Sequence, residues 1–190
     1  MIQDYINYIK EQQHLNIDPF DEEDWELDNL SPLLQLVRKW NSNKPYNEIT
    51  KLDCYGEELL SLEGIEKLVY LKELYCSHNQ LTSLKGIDNL VNLGILFCNY
   101  NHLTSLEDME ILVNLEYLSC HVNQLTSLKG IENLVNLNYL HCGNNQLTLL
   151  EGVENLVNLK ELYCINNRFG EDYKIYLKNY CRNKNIYLVI

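Results

Sequence analysis

Residues 71–92 read LKELYCSHNQLTSLKGIDNLVN, residues 93–114 read LGILFCNYNHLTSLEDMEILVN, and near-copies follow from residues 115 and 137. A stretch that repeats at a fixed period decides the architecture before any single motif can. The cysteines provide the ruler: Cys54, Cys76, Cys98, Cys120, Cys142 and Cys164 stand 22 residues apart. Aligned on them, the units read L-x-x-L-x-C-x-x-N-x-L. The first unit is degenerate, with Ile49, Leu52, Cys54 and then Glu57 where the others carry Asn. The sixth ends on Phe169.

Within the first half of each unit, every second position is fixed as Leu or Cys and the positions between them vary. That alternation marks a strand with one buried and one exposed face. One unit cannot bury its apolar side alone, so the copies must stack. Stacked in register, the strands form a parallel sheet, and parallel strands need a crossover. The return half (LTSLKGIENLVNL or a near copy) supplies it, with Leu84, Ile87, Leu90 and their equivalents turned back into the core. Gly64, Gly86, Gly130 and Gly152 suit a backbone angle that a side chain opposes. Asp108 stands in that series and is expected to tolerate the same angle.

The pattern resembles the leucine-rich repeat, over about residues 49–170. The unit length and the GIexLxNL return are similar to those of bacterial internalins and of a nuclear regulatory subunit of protein phosphatase 1. The resemblance implies an α/β leucine-rich-repeat solenoid with its parallel sheet on the concave face. Cys in place of a strand Leu is the departure from the family pattern. The Asn column (Asn79, Asn101, Asn123, Asn145 and Asn167) is expected to satisfy buried backbone groups from turn to turn, because an amide both donates and accepts. Thr82, Thr104, Thr126 and Thr148 are weaker candidates for the same role.

A solenoid needs caps. Residues 1–45 form the expected N-terminal helical cap, residues 46–170 the repeats, and residues 171–190 a C-terminal helix–strand cap. Ile2, Tyr5, Ile6 and Ile9 recur at helical spacing. Ser31-Pro32 opens a second helix with a cap residue followed by Pro, and Leu33, Leu34, Leu36, Val37 and Trp40 give it an apolar side. At the far end Gly170 closes the last turn, Tyr173, Leu177, Tyr180 and Cys181 share one side of a helix, and residues 186–190 read as a final strand.

Composition bears on source and compartment. The chain holds no alanine, three arginines and 25 asparagines, a bias that suits an AT-rich genome such as a giant DNA virus or a low-GC bacterium. The net charge is −12, with acids concentrated in the run FDEEDWELD. An acidic chain without a basic stripe argues against nucleic acid or an anionic membrane as partner. The opening MIQDYINYIK lacks the apolar centre of a signal peptide. The expected location is therefore intracellular and cytoplasmic (host cytoplasm if viral), and the expected state a monomer.

The thiol column invites a zinc or redox reading. Structural zinc wants clustered ligands at short spacing, and a line of thiols on adjacent strands is not a tetrahedron. Buried thiols are unreactive, and free Cys serves as a small apolar residue. Core filling is the expectation. His121 and His141 face the concave surface on neighbouring strands, with a diagonal offset of ~7–8 Å, and read as ordinary surface residues. His78 and His102 fall in or near turns, and His14 in the N-terminal segment. No nucleophile–base pair or phosphate-binding loop is legible, so no catalytic residue, metal or cofactor is assigned.

The varying strand positions carry the functional expectation. Tyr75, Ile95, Phe97, Tyr117 and Tyr139 gather mid-sheet, with Ser119, His141 and Tyr163 beside them. Exposed aromatic clusters with a polar rim mark interaction sites. Tyr100 lies nearby in a turn. The expected function is a non-enzymatic, protein-binding scaffold presenting a rigid concave surface. A regulatory subunit of an enzyme such as a phosphatase, and a zinc or redox protein using the Cys column, are the alternatives.

Overall fold

The computed structural model describes residues 30–41 and 44–190. The helix expected near Ile2, Tyr5, Ile6 and Ile9, His14, and the acidic run all lie outside the described residues. From Lys51 onward the chain winds as a coil of short segments. Seven three-residue strands form one parallel sheet in chain order: β1 (Lys51–Asp53), β2 (Glu73–Tyr75), β3 (Ile95–Phe97), β4 (Tyr117–Ser119), β5 (Tyr139–His141), β6 (Glu161–Tyr163) and β7 (Tyr187–Val189). The register advances by one repeat per strand from β1 to β6, pairing Leu52 with Leu74 and Leu74 with Leu96, and the cap strand β7 then pairs Leu188 with Leu162.

The core is the column of fixed positions. Leu74, Leu96, Leu118 and Leu140 are fully buried, as are Cys76, Cys98, Cys120 and Cys142 one position further along the inner face. The return segments close it from the other side through Leu84, Ile87, Leu90 and their equivalents. Single 3₁₀ turns at Ile65–Lys67, Ile87–Asn89, Glu107–Met109 and Val153–Asn155 bend the chain there. All seven cysteines are free and buried. Burial pushes the thiols of Cys54, Cys120 and Cys164 up to about 12, and drives Cys76, Cys98 and Cys142 well above the ordinary thiol range. A thiolate is the reactive and metal-binding form, so the column is apolar filling.

The Asn column is the ladder that the polarity argument anticipates. Asn101 Oδ1 accepts from Leu81 N–H at 2.9 Å, while its Nδ2 donates to Cys76 O and Cys98 O at 3.0 Å each. Asn79, Asn123, Asn145 and Asn167 repeat the pattern one unit apart. The threonines do not join in: Thr82, Thr104, Thr126 and Thr148 are exposed. A second ladder runs along the back instead. Asn92, Asn114, Asn136 and Asn158 each donate to the carbonyl of a valine one unit earlier, at 2.7–3.2 Å from Val69, Val91, Val113 and Val135.

Two turn columns carry left-handed backbone. Gly130 sits at φ 107°, and a Cβ there would lie 2.2 Å from Leu106 O. Asp108 does not take the corresponding angle. The 3₁₀ turn of its unit begins earlier, at Glu107, and the chain passes that position without positive φ. The reroute brings the Leu106–Glu107 backbone against Gly130 of the next unit. The second column lies two residues after each cysteine: Gly56, His78, Tyr100, Val122, Asn144 and Asn166 all have φ between 52° and 70°.

Helix α1 (Pro32–Asn41) buries Leu33, Leu34 and Val37 against the first unit. Ser31 Oγ accepts from Leu34 N–H, as an N-cap should. Leu34 fills the space that Gly64 leaves open. Trp40 departs from the expected apolar side and is exposed, because the buried stripe ends at Val37. Helix α2 (Glu171–Lys184) closes the other end with Leu177 and Cys181 buried, and Tyr173 Oη accepts from Leu150 N–H at 2.9 Å.

Candidate functional site

The exposed face of the sheet is where the variable positions gather. Register places Glu73, Ile95, Tyr117, Tyr139, Glu161 and Tyr187 in one row, and Tyr75, Phe97, Ser119, His141, Tyr163 and Val189 in the next. Ile95, Phe97, Tyr75, Tyr139, His141 and Tyr163 are half-buried and Tyr117 is exposed. Tyr75 and Phe97 meet edge to face at 5.3 Å. Tyr117, Tyr139 and Tyr163 follow one another at 6.2 and 5.4 Å.

Ser119 has a different role from its row-mates. It is buried, and its Oγ lies 2.9 Å from His121 Nδ1. It therefore positions a ring and presents little surface of its own.

The rings form a longer feature than any one row. Tyr55, His78, Tyr100, His121, His141, Tyr163 and Tyr187 make a continuous chain of contacts, with centroid separations from 4.0 to 5.8 Å. This ribbon crosses the sheet at right angles to the strands. Reading the strands in rows of constant offset misses it, because the ribbon shifts row as it goes. Tyr55 and His121 follow a cysteine directly, His78 and Tyr100 lie one further on, and His141 and Tyr163 precede one. His121 and His141 stack at 4.0 Å despite their diagonal register, so they are not the separate surface histidines that backbone spacing predicts.

The two ends of the patch carry the same device. The sequence KELYC occurs at residues 72–76 and 160–164. In each copy the Tyr hydroxyl donates to the Glu two residues earlier: Tyr75 to Glu73 at 3.0 Å, and Tyr163 to Glu161 at 2.9 Å. Burial and then Glu73 raise the Tyr75 phenol above its ordinary value, whereas for Tyr163 the hydrogen bond to Glu161 is the leading cause. Lys51 bridges to Glu73 at 3.1 Å and lies over the Tyr75 ring. It draws the Glu73 carboxyl below its usual range.

The sheet, the stacked Leu column and the Asn ladder together decide the architecture. The fold is a leucine-rich-repeat solenoid. Residues 71–110 and 113–155 match the family model described as Leucine Rich repeats (2 copies). Solved leucine-rich-repeat structures are similar to it. The functional domain of InlJ from Listeria monocytogenes, described as including a cysteine ladder, is 36% identical with a TM-score of 0.62, over 67% of this chain and 28% of that one. Internalin C2 from the same organism is 23% identical with a TM-score of 0.60, over 83% of this chain and 81% of that one. A leucine-rich-repeat protein of Leptospira interrogans is 27% identical with a TM-score of 0.52, over 66% and 38%. The chain thus spans little more than a quarter of the InlJ domain. No curated protein matches it.

Among the described residues no three His, Cys, Asp or Glu side chains come together to hold a metal ion. No described helix is long and apolar enough to cross a membrane.

Proposed function

We propose that this leucine-rich-repeat chain is a protein-binding scaffold that engages its partner through the concave face. The observation that carries this reading is the ribbon of rings crossing all seven strands, next to the exposed Tyr117 and half-buried Ile95 and Phe97. Aromatic side chains bring large contact area at low ordering cost, and Tyr is favoured at binding hot spots. The sheet beneath is held by two Asn ladders, so the surface is formed before a partner arrives and much of the ordering cost of binding is avoided. The acidic charge of the chain disfavours nucleic acid as that partner. Seven free thiols suit a reducing, intracellular compartment.

The test replaces Phe97 and Tyr117 with Asp together. Both side chains lie on the open face, so the thermal midpoint should stay within a few degrees of wild type. A photo-crosslinker at Ile95 should join the wild-type protein to a partner in its native host, and the double variant should lose that adduct. An adduct that survives the substitutions in a folded variant refutes the assignment.

A further inference from the structure

The ribbon turns on one pair of rings. His121 and His141 stack with their planes inclined by 15° and their centroids 4.0 Å apart. Parallel stacking directs the nitrogen lone pairs side by side, so the two rings cannot converge on one metal ion. Ser119 Oγ holds the His121 Nδ1 edge. On the β3 side Tyr100 meets His121 edge-on at 5.3 Å and is itself stacked on His78 at 4.1 Å. On the β6 side Tyr163 lies 5.5 Å from His141 with its hydroxyl committed to Glu161, and Tyr139 packs on Tyr163. Among the described residues no carboxylate forms an ion pair with either imidazole.

A second observation sits beside the first. Val122, the residue after His121, has φ 52°. A β-branched residue in the left-handed region is a steric outlier. Such strain collects where a segment is poised between two arrangements. The corresponding positions of the next two units carry Asn144 and Asn166, which tolerate that angle.

We propose that the His121–His141 stack is an acid-sensitive joint of the concave face: neutral rings complete the ribbon, and protonation parts them and breaks it between β4 and β5. Two neutral imidazoles attract face to face, whereas two imidazolium ions at that separation repel. Burial, and then the charges of His141 and His78, pull His121 down to about 4, and burial lowers His141 as well. The pair is therefore neutral at pH 7. An occupant that covers the rings favours their neutral form further, so by linkage it is held near neutrality and released in acid. This regulation rests on the concave face being the binding surface, but the joint itself can be read without a partner.

The experiment is a pH titration of the full chain with isotope-labelled histidine, followed by NMR from pH 7.5 to 3.5, with His121→Gln and His141→Gln assigning the signals. His121 should titrate near pH 4, and the ring resonances of Tyr100 and Tyr163 should move with the imidazole midpoints. His141→Gln should raise the His121 midpoint, and Ser119→Ala, which frees the His121 Nδ1 edge, should weaken the coupling between the two titrations. Independent titration of both imidazoles at the ordinary value overturns the proposal, as do Tyr100 and Tyr163 signals that stay still. Loss of the native spectrum before His121 protonates overturns it too, because no joint then acts within the fold. Failure to find a partner leaves every one of these readings unchanged.

Discussion

Replacing Asn101 by Ala separates the contribution of one ladder rung from that of the core around it. The side chain is 6% exposed and makes four backbone hydrogen bonds, three at 2.9–3.0 Å and a long one to Asn99 O at 3.4 Å; the three short ones dominate. Their loss is unequal. Cys76 O also accepts from Asn79, and Cys98 O also accepts from Asn123, so each carbonyl keeps one partner. Leu81 N–H has Asn101 Oδ1 as its partner and is orphaned in a buried turn. Two bonds lost with a partner remaining cost about 1 kcal/mol each, and a buried unsatisfied donor about 1–3 kcal/mol more. The expected loss is therefore ~3–5 kcal/mol. Asn167→Ala makes the comparison, because Asn167 is half-exposed and water can reach Leu147 N–H. There about 1–2 kcal/mol is expected. Urea unfolding gives the totals, and native-state hydrogen exchange of the Leu81 amide reads the orphaned donor directly. An Asn101→Ala variant destabilised by less than about 1 kcal/mol, with Leu81 exchange unchanged, would show that the ladder is ornament on a core held by leucine.

Gly130→Ala should cost more than Gly86→Ala, about 3 kcal/mol against 1–2 kcal/mol. A new Cβ at Gly130 meets the backbone of Leu106 at 2.2 Å, while at Gly86 it meets a side-chain methyl of Ile65 at 3.0 Å; equal thermal shifts would contradict this. Val122→Asn should stabilise by about 1 kcal/mol through relief of the left-handed strain, raising the thermal midpoint by roughly 2–4 °C. Native protein should show almost no thiol reactive towards a neutral-pH disulfide reagent, and all seven should react once unfolded, since burial raises each of them. The depressed histidine makes stability depend on pH with a fixed sign. The unfolded chain binds the His121 proton first as pH falls, so stability drops from about pH 6.5 towards pH 4. Solvent screening of a half-exposed ring limits the effect to ~1–2 kcal/mol, read as the difference between wild type and His121→Gln.

Most of the fold is legible in the chain because the core repeats. A buried column must keep its chemistry from unit to unit, so Leu74, Cys76 and Asn79 advertise their positions by recurring. Asn92 and its equivalents recur as strictly, yet they lie in a return segment whose polarity reads as solvent exposure, and their role appears once the coil brings Val69 O within reach. The Asp108 turn was not legible for the opposite reason. A single departure from the repeat has two solutions, tolerating the old angle or shifting the turn, and neighbouring backbone decides between them. The concave residues Tyr75, Ile95, Phe97 and Tyr117 follow from strand alternation alone. The ring ribbon does not, since stacking depends on side-chain rotamers and on turn residues such as His78 and Tyr100 that belong to no strand.

Strands of three residues, joined in chain order and bonded to their immediate neighbours, also define how the molecule meets mechanical load. The strand-to-strand bonds lie along the axis on which the seven strands succeed one another, so tension along that axis peels one short strand at a time instead of shearing the sheet as a whole. Each detached unit of 22 residues releases roughly 75 Å of slack chain, and its Asn rung must part before the next unit feels the pull. Stretched along that axis, the repeats should lengthen as a ratchet with a uniform tooth. A single-molecule trace with one all-or-none rupture would contradict this.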